Sequence, residues 1–178
     1  MTGETLRQPE IRVLLSEQQI RDRVAQLAEQ ISRDYAGKQP LIVGVLKGAW
    51  VFMADLVRRL TVPTRCDFIK LSSYGEETAT TGRVQLHLDL NTPAEGLDIL
   101  VVEDIVDTGT CVRWLLDHLR RKGPASIRLC ALLDNPARRI APITIDYVGF
   151  TIPDCFVVGY GIDWKERFRE LPYIGRLA

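Results

Sequence analysis

Three carboxylates, Glu103, Asp104 and Asp107, stand in one short stretch and run directly into Thr108-Gly109-Thr110-Cys111. Acids gathered immediately after a buried strand are costly unless they face a ligand or a metal. The small residues that follow lie at the amino end of a helix, where backbone N–H groups and the helix dipole favour an anion and glycine permits close approach. A phosphate suits that place. No Gly-Lys-Ser/Thr of the Walker type follows, and the three acids would repel a bare polyphosphate. Paired carboxylates can instead accept from the hydroxyls of a ribose diol, and a magnesium ion tolerates further negative charge nearby. Phosphate, diol and acids together point to a phosphoribosyl group. The plainer alternative is that Glu103 and Asp104 cap a sheet edge, Asp107 caps a helix and Gly109 only makes a turn.

These residues need elements to hold them. Ile99 to Val102 is β-branched, apolar and unalternated, the pattern of a central strand in a parallel sheet covered on both faces, which puts Glu103 and Asp104 at its carboxyl end. Val112, Leu115, Leu116 and Leu119 then mark an amphipathic helix ending at Gly123-Pro124. Leu41 to Leu46 is a second such strand, running into Lys47-Gly48 and a helix carrying Val51, Phe52, Leu56, Val57 and Leu60. Lys47 therefore also stands at a strand's carboxyl end, where open parallel sheets take ligands, and is a candidate for an anionic group; a solvated loop lysine is the alternative.

Further strands are expected at Cys66 to Leu71, Arg83 to Leu88, Ile127 to Leu133, Tyr147 to Phe150 and Phe156 to Tyr160. Between the first two lies a polar loop, Ser72 to Gly82, that could close as a lid. Asp134 to Arg139 follows a strand end and feeds the same rim. Ser16 and Gln19 form a capping box for a first helix whose Ile20, Val24, Leu27, Ala28 and Ile31 serve packing, with Gly37 as its stop.

The whole chain sets the bounds. With 178 residues, 46% hydrophobic and 26% charged, a single domain spanning 1–178 is expected. Lysine plus arginine balances aspartate plus glutamate at 23 each, so no global field favours nucleic acid or an anionic membrane. Cys66, Cys111, Cys130 and Cys155 are too scattered for a zinc site, no apolar run reaches about 18 residues, and the amino terminus lacks a signal core. A cytoplasmic, small-molecule protein is the expectation.

Val101 to Thr110, Val-Val-Glu-Asp-Ile-Val-Asp-Thr-Gly-Thr, resembles the phosphoribosyl-pyrophosphate signature of the type I phosphoribosyltransferases. Leu46-Lys47-Gly48, Ser73-Tyr74-Gly75, Ile152-Pro153-Asp154 and Phe156 to Asp163 are similar to segments of the hypoxanthine-guanine branch of that family, in its compact bacterial form. The resemblance implies an α/β fold with a mainly parallel central sheet, helices on both faces and a small hood from the chain ends. It implies transfer of phosphoribose from 5-phospho-α-D-ribose 1-diphosphate to a purine, with Mg2+ as cofactor and a homo-oligomer as the working form. By the same resemblance Glu103 and Asp104 hold the ribose hydroxyls and, with Asp163, the metal side. Asp107 manages the purine proton, and Thr108, Gly109, Thr110 and Cys111 cradle the 5-phosphate. Lys47, Gly48 and Arg169 bind pyrophosphate, Ser73 and Tyr74 begin the lid, and Phe156, Val157 and Asn135 meet the base. The peptide entering Lys47 can be cis in that branch. Two departures stand out: Asn135 replaces the usual lysine opposite purine position 6, and Cys111 replaces a hydroxyl residue. A xanthine-preferring relative and an RNA-binding regulator on the same fold are the rival readings.

Overall fold

A computed structural model describes residues 9–74 and 83–177. Its main sheet is built from β2 (Leu41–Leu46), β3 (Arg65–Tyr74), β4 (Arg83–Leu88), β5 (Asp98–Val106), β6 (Ser126–Asp134) and β7 (Tyr147–Thr151), in the order β4-β3-β2-β5-β6-β7. Only the β3–β4 pair is antiparallel. A second sheet joins the two ends of the chain: β1 (Ile11–Leu15) pairs with β9 (Ile174–Leu177), which pairs with β8 (Val157–Val158). This is the expected α/β sheet with its hood.

Strand residues alternate between two cores. Ile42, Leu100, Val102, Cys130 and Leu132 pack with Ile20, Val24, Leu27 and Ile31 of α1 (Glu17–Asp34) and with Phe52, Met53 and Leu56 of α2 (Trp50–Val57). Leu41, Val43, Ile99, Val101, Leu129 and Ala131 face Val112, Leu115, Leu116 and Leu119 of α3 (Thr110–Arg120). The period of two that flips side chains across a strand thus explains why these strands read as continuously apolar. Each wholly buried leucine, such as Leu115, contributes about 2 kcal/mol from removal of apolar area. The capping box forms as read: Ser16 Oγ accepts the Gln19 N–H at 3.2 Å, and Gln19 Oε1 accepts the Ser16 N–H at 2.9 Å.

The chain leaves β2 toward β3 on one side and leaves β5 toward β6 on the other. Right-handed crossovers therefore put α2 and α3 on opposite faces and open a crevice at the carboxyl ends of β2 and β5.

Three expectations need correction. β5 does not stop at Val102, because its ladder with β6 continues through Glu103↔Ala131, Ile105↔Leu133 and Val106↔Asp134; Glu103 and Asp104 are strand residues. Ser72, Ser73 and Tyr74 do not open a loop but extend β3, paired with Gln85, Val84 and Arg83 of β4. Backbone pairing, indifferent to side-chain polarity, overrides the polar composition in both places. The rest of the expected lid, 75–82, lies outside the described residues. Finally, Phe156 to Tyr160 is a strand only at Val157–Val158, since Gly159 (φ 100°) and Tyr160 (φ 51°) turn the chain away.

Candidate active site

The turn after β2 comes first. The Leu46–Lys47 peptide is cis, and Gly48 follows with its Cα against the Asp104 carboxylate. A Cβ at Gly48 would lie 1.8 Å from Asp104 Oδ2, and one at Gly161 would lie 2.3 Å from the Gly48 carbonyl oxygen. Three chain segments therefore meet with no room for a side chain between them. Lys47 Nζ projects outward and binds Glu166 Oε2 at 2.8 Å.

Glu103 and Asp104 alternate across β5, yet both line a cleft of about 530 Å3 with Val45, Leu46, Gly48, Leu71, Ser72 and Cys111. Burial pushes the Glu103 carboxyl well up, and the charges of Asp104 and Asp107 push the same way. Its Oε2 is buried and has no hydrogen-bond partner. Burial also raises Asp104 to about 6, although backbone N–H groups and the Arg169 charge pull against it. Two carboxyls in this state favour a cation or hydroxyl donors. Among the described residues no three or more His, Cys, Asp or Glu side chains converge as a ready metal cage. Magnesium does not require one, because it is commonly held by one or two carboxylates together with water and substrate phosphates, and the orphaned Glu103 oxygen fits such a use.

Beyond β5 the chain turns through Asp107-Thr108-Gly109 into α3. Gly109 has φ 80°, and a Cβ there would meet Ala141 O and Ile143 Cγ1, each at 2.9 Å. The N-cap residue of α3, Gly109, has no side chain to cap the helix, and the positive dipole end of α3 faces this loop. Asp107 Oδ1 accepts the Thr108 N–H at 2.5 Å, and Thr108 Oγ1 accepts weakly from the Thr110 N–H at 3.4 Å. A loop of this geometry can hold an anion on its backbone N–H groups, and one of those donors is satisfied here by the Asp107 side chain.

Residues from the other end of the chain complete the rim. Arg169 donates from Nη1 to Gly161 O at 2.8 Å and pairs through Nη2 with Asp163 Oδ1 at 2.8 Å. Asp163 Oδ2 also accepts the Glu166 N–H at 2.8 Å. Glu166 thus lies between Lys47 and Arg169, 2.8 Å from the former and 3.5 Å from the latter. Its side chain is 67% exposed, so these pairs are worth little and an incoming anion can replace it. Phe156 is 47% exposed, whereas Val157 is buried. Asn135 is 1% exposed, and its Oδ1 has no hydrogen-bond partner.

The structure thus gathers Gly48, Glu103, Asp104 and Cys111 at one cleft, sets Lys47 next to Gly48 with its amine on Glu166, and ties Arg169 and Asp163 to the same rim through Gly161. Sequence reasoning missed Glu166, Gly161 and Arg139. Glu166 carried no signal, being one charge in a charged loop; Gly161 was visible only as strand punctuation, and Arg139 only as part of a strand-end segment.

Fold and site together define a doubly wound α/β protein with a carboxylate pair and an anion loop at its switch point. The chain matches the family model described as phosphoribosyl transferase domain over residues 12–165. It is 46% identical over 166 residues to the hypoxanthine-guanine phosphoribosyltransferase of Bacillus subtilis, covering 93% of this chain and 92% of that protein. A Bacillus anthracis hypoxanthine-guanine phosphoribosyltransferase crystal structure superposes with a TM-score of 0.91 at 45% identity, covering 95% of this chain and 100% of the other. The bifunctional protein TilS/HprT of Listeria monocytogenes is 46% identical over 166 residues, and there the match covers 93% of this chain and 26% of the longer protein. The chain belongs to the phosphoribosyltransferase family.

Proposed function

We propose that the chain is a single-domain purine phosphoribosyltransferase. It would transfer the 5-phosphoribosyl group from 5-phospho-α-D-ribose 1-diphosphate to hypoxanthine or guanine, giving IMP or GMP and pyrophosphate. The observation that carries the reading is the convergence of Gly48, the Glu103-Asp104 pair and Cys111, where the anion loop enters α3, on one cleft. Similarity to the hypoxanthine-guanine enzymes over 93% of the chain supports it.

In this scheme the 5-phosphate lies on the N–H groups of Thr108 to Cys111, and Glu103 and Asp104 accept from the ribose hydroxyls. Glu103, Asp104 and Asp163 would hold a magnesium ion, which would supply charge neutralisation for the leaving group. Lys47 and Arg169 release Glu166 and take the departing pyrophosphate, while the ribosyl carbon gains oxocarbenium character. Phosphate binding at the loop competes for the Thr108 N–H and so frees the Asp107 carboxylate, which then manages the purine proton. Phe156 stacks on the base, Val157 reads its edge through the backbone, and Asn135 replaces a lysine donor at position 6. A neutral amide can donate or accept there, which keeps xanthine as a second acceptor to test.

No helix among the described residues is long and apolar enough to cross a membrane. A cytoplasmic homo-oligomer, dimer or tetramer, is the form we propose. The test is a panel of hypoxanthine, guanine, xanthine and adenine with the diphosphate donor and magnesium, read as nucleotide and pyrophosphate. Steady IMP or GMP formation is expected; a protein that turns over none of the four refutes the assignment.

A further inference from the structure

The segment after β6 runs behind the anion loop, and the scheme above gives it no part beyond Asn135. Several of its hydrogen bonds go to carbonyl groups of that loop. Val106 O accepts from the Asn135 N–H at 2.9 Å and from Arg139 Nη2 at 3.1 Å. Asp107 O accepts from Arg139 Nε at 2.8 Å, and Thr108 O accepts from the N–H groups of Ile140 and Ala141, both at 2.9 Å. Gly109 O is taken by the Arg113 N–H at 2.8 Å. Four successive carbonyls are thereby fixed. Nη2 of Arg139 also binds the Asp134 carboxylate, and the side chain is only 18% exposed.

Peptide geometry turns this into a statement about ligand binding. In a trans peptide the C=O and N–H point in opposite directions, so holding the carbonyls of Asp107, Thr108 and Gly109 aims the N–H groups of Thr108, Gly109 and Thr110 away from their anchors. Those are the groups a phosphate needs. Arg139 suits the task because its planar fork donates to two neighbouring carbonyls and a carboxylate at once, which a single ammonium on a flexible stem cannot reproduce. Its charge behind the Asp107 carbonyl also polarises that peptide and strengthens the Thr108 N–H as a donor.

We infer that Arg139 is a positioning residue: it holds the Val106 and Asp107 carbonyls so that the loop presents its N–H groups to the 5-phosphate. It acts through the loop and touches no substrate. The inference rests on the function proposed above.

Without the guanidinium, water replaces it at two carbonyls and the peptides can rotate, so only ligands that use the loop should suffer. Arg139→Lys and Arg139→Ala should weaken ribose 5-phosphate and GMP by about 10- to 100-fold, the scale of losing one or two charge-assisted hydrogen bonds. Guanosine, which lacks the phosphate, should bind as in the wild type, and the donor KM should rise more than kcat falls. Added guanidinium at millimolar concentration should restore part of the GMP affinity of Arg139→Ala; if that variant does not fold, Arg139→Lys alone decides the matter. Equal losses for GMP and guanosine, or unchanged GMP affinity in a folded variant, overturn the inference alone. Wild-type protein indifferent to ribose 5-phosphate overturns the reading of the site and this inference with it.

Discussion

Gly48→Ala should disable the protein through one methyl group. The new Cβ would stand 1.8 Å from Asp104 Oδ2 and 2.5 Å from Asp104 Cγ, roughly 1.5 Å short of van der Waals contact. Spinning the carboxylate about its own axis leaves the Cγ conflict in place, so the whole Asp104 side chain must swing or the turn must retreat. Retreat is blocked on the other side, where the Gly48 carbonyl already abuts Gly161. Overpacking of this kind costs about 1 to 3 kcal/mol, or a melting temperature lower by about 2 to 10 °C for a chain of this size. Displacing Asp104 and the Lys47 peptide by about 1 Å should lower kcat/KM for the diphosphate donor by about 100-fold. Thermal unfolding and steady-state turnover measure the two effects separately. The double variant Gly48→Ala/Asp104→Ala removes the conflicting atoms and should regain stability without regaining turnover. A Gly48→Ala protein with wild-type melting and wild-type kcat/KM would refute the packing argument.

Other expectations follow from the same geometry. Asp107→Asn should lower kcat by about 10- to 10⁴-fold with donor affinity nearly intact, since proton management belongs to the chemical step; unchanged kcat in single-turnover assays removes Asp107 from that role. Asp104 keeps its proton up to about pH 6 in the folded state, whereas the unfolded chain releases it near pH 4, so its contribution to stability falls as pH rises through that interval and is flat above it. Melting curves of wild type and Asp104→Asn should therefore coincide near pH 4, with the variant the more stable by pH 7; a constant gap between them contradicts this. Asn135→Lys should shift selectivity toward 6-oxo over 6-amino purines, and identical ratios of kcat/KM in both proteins would place the side chain away from the base.

Much of the site was legible because its parts follow local rules. Leu41–Leu46 could be read to the residue, as an unalternated apolar run bounded by Pro40 and Lys47. The acids after Val102 were legible as chemistry but not as strand, since periodicity reports side-chain burial and the β5–β6 ladder is made by the backbone. Ser73 and Tyr74 were misplaced for the same reason. Strands β1 and β9 escaped altogether: each is short, and each is defined by a partner at the far end of the chain. Arg139 shows a third limit. Its doublet with Arg138 was visible, but that one arginine reaches Asp154 and the other the carbonyls of the anion loop depends on a turn that only the three-dimensional structure provides.

The hood also sets an order of events during synthesis. Among the described residues strand β8 lies at the edge of its sheet and pairs only with β9, and β9 leaves the ribosome after it. The strands β2, β5 and β6 that carry the carboxylates and the anion loop are complete long before then, and domains fold as their parts emerge. The half of the site assigned to phosphoribose can thus assemble first. Phe156 and Val157, assigned to the purine, gain their support only when Ile174–Leu177 is released, so a nascent chain halted before that point would be able to hold a sugar phosphate without yet having a place for the base.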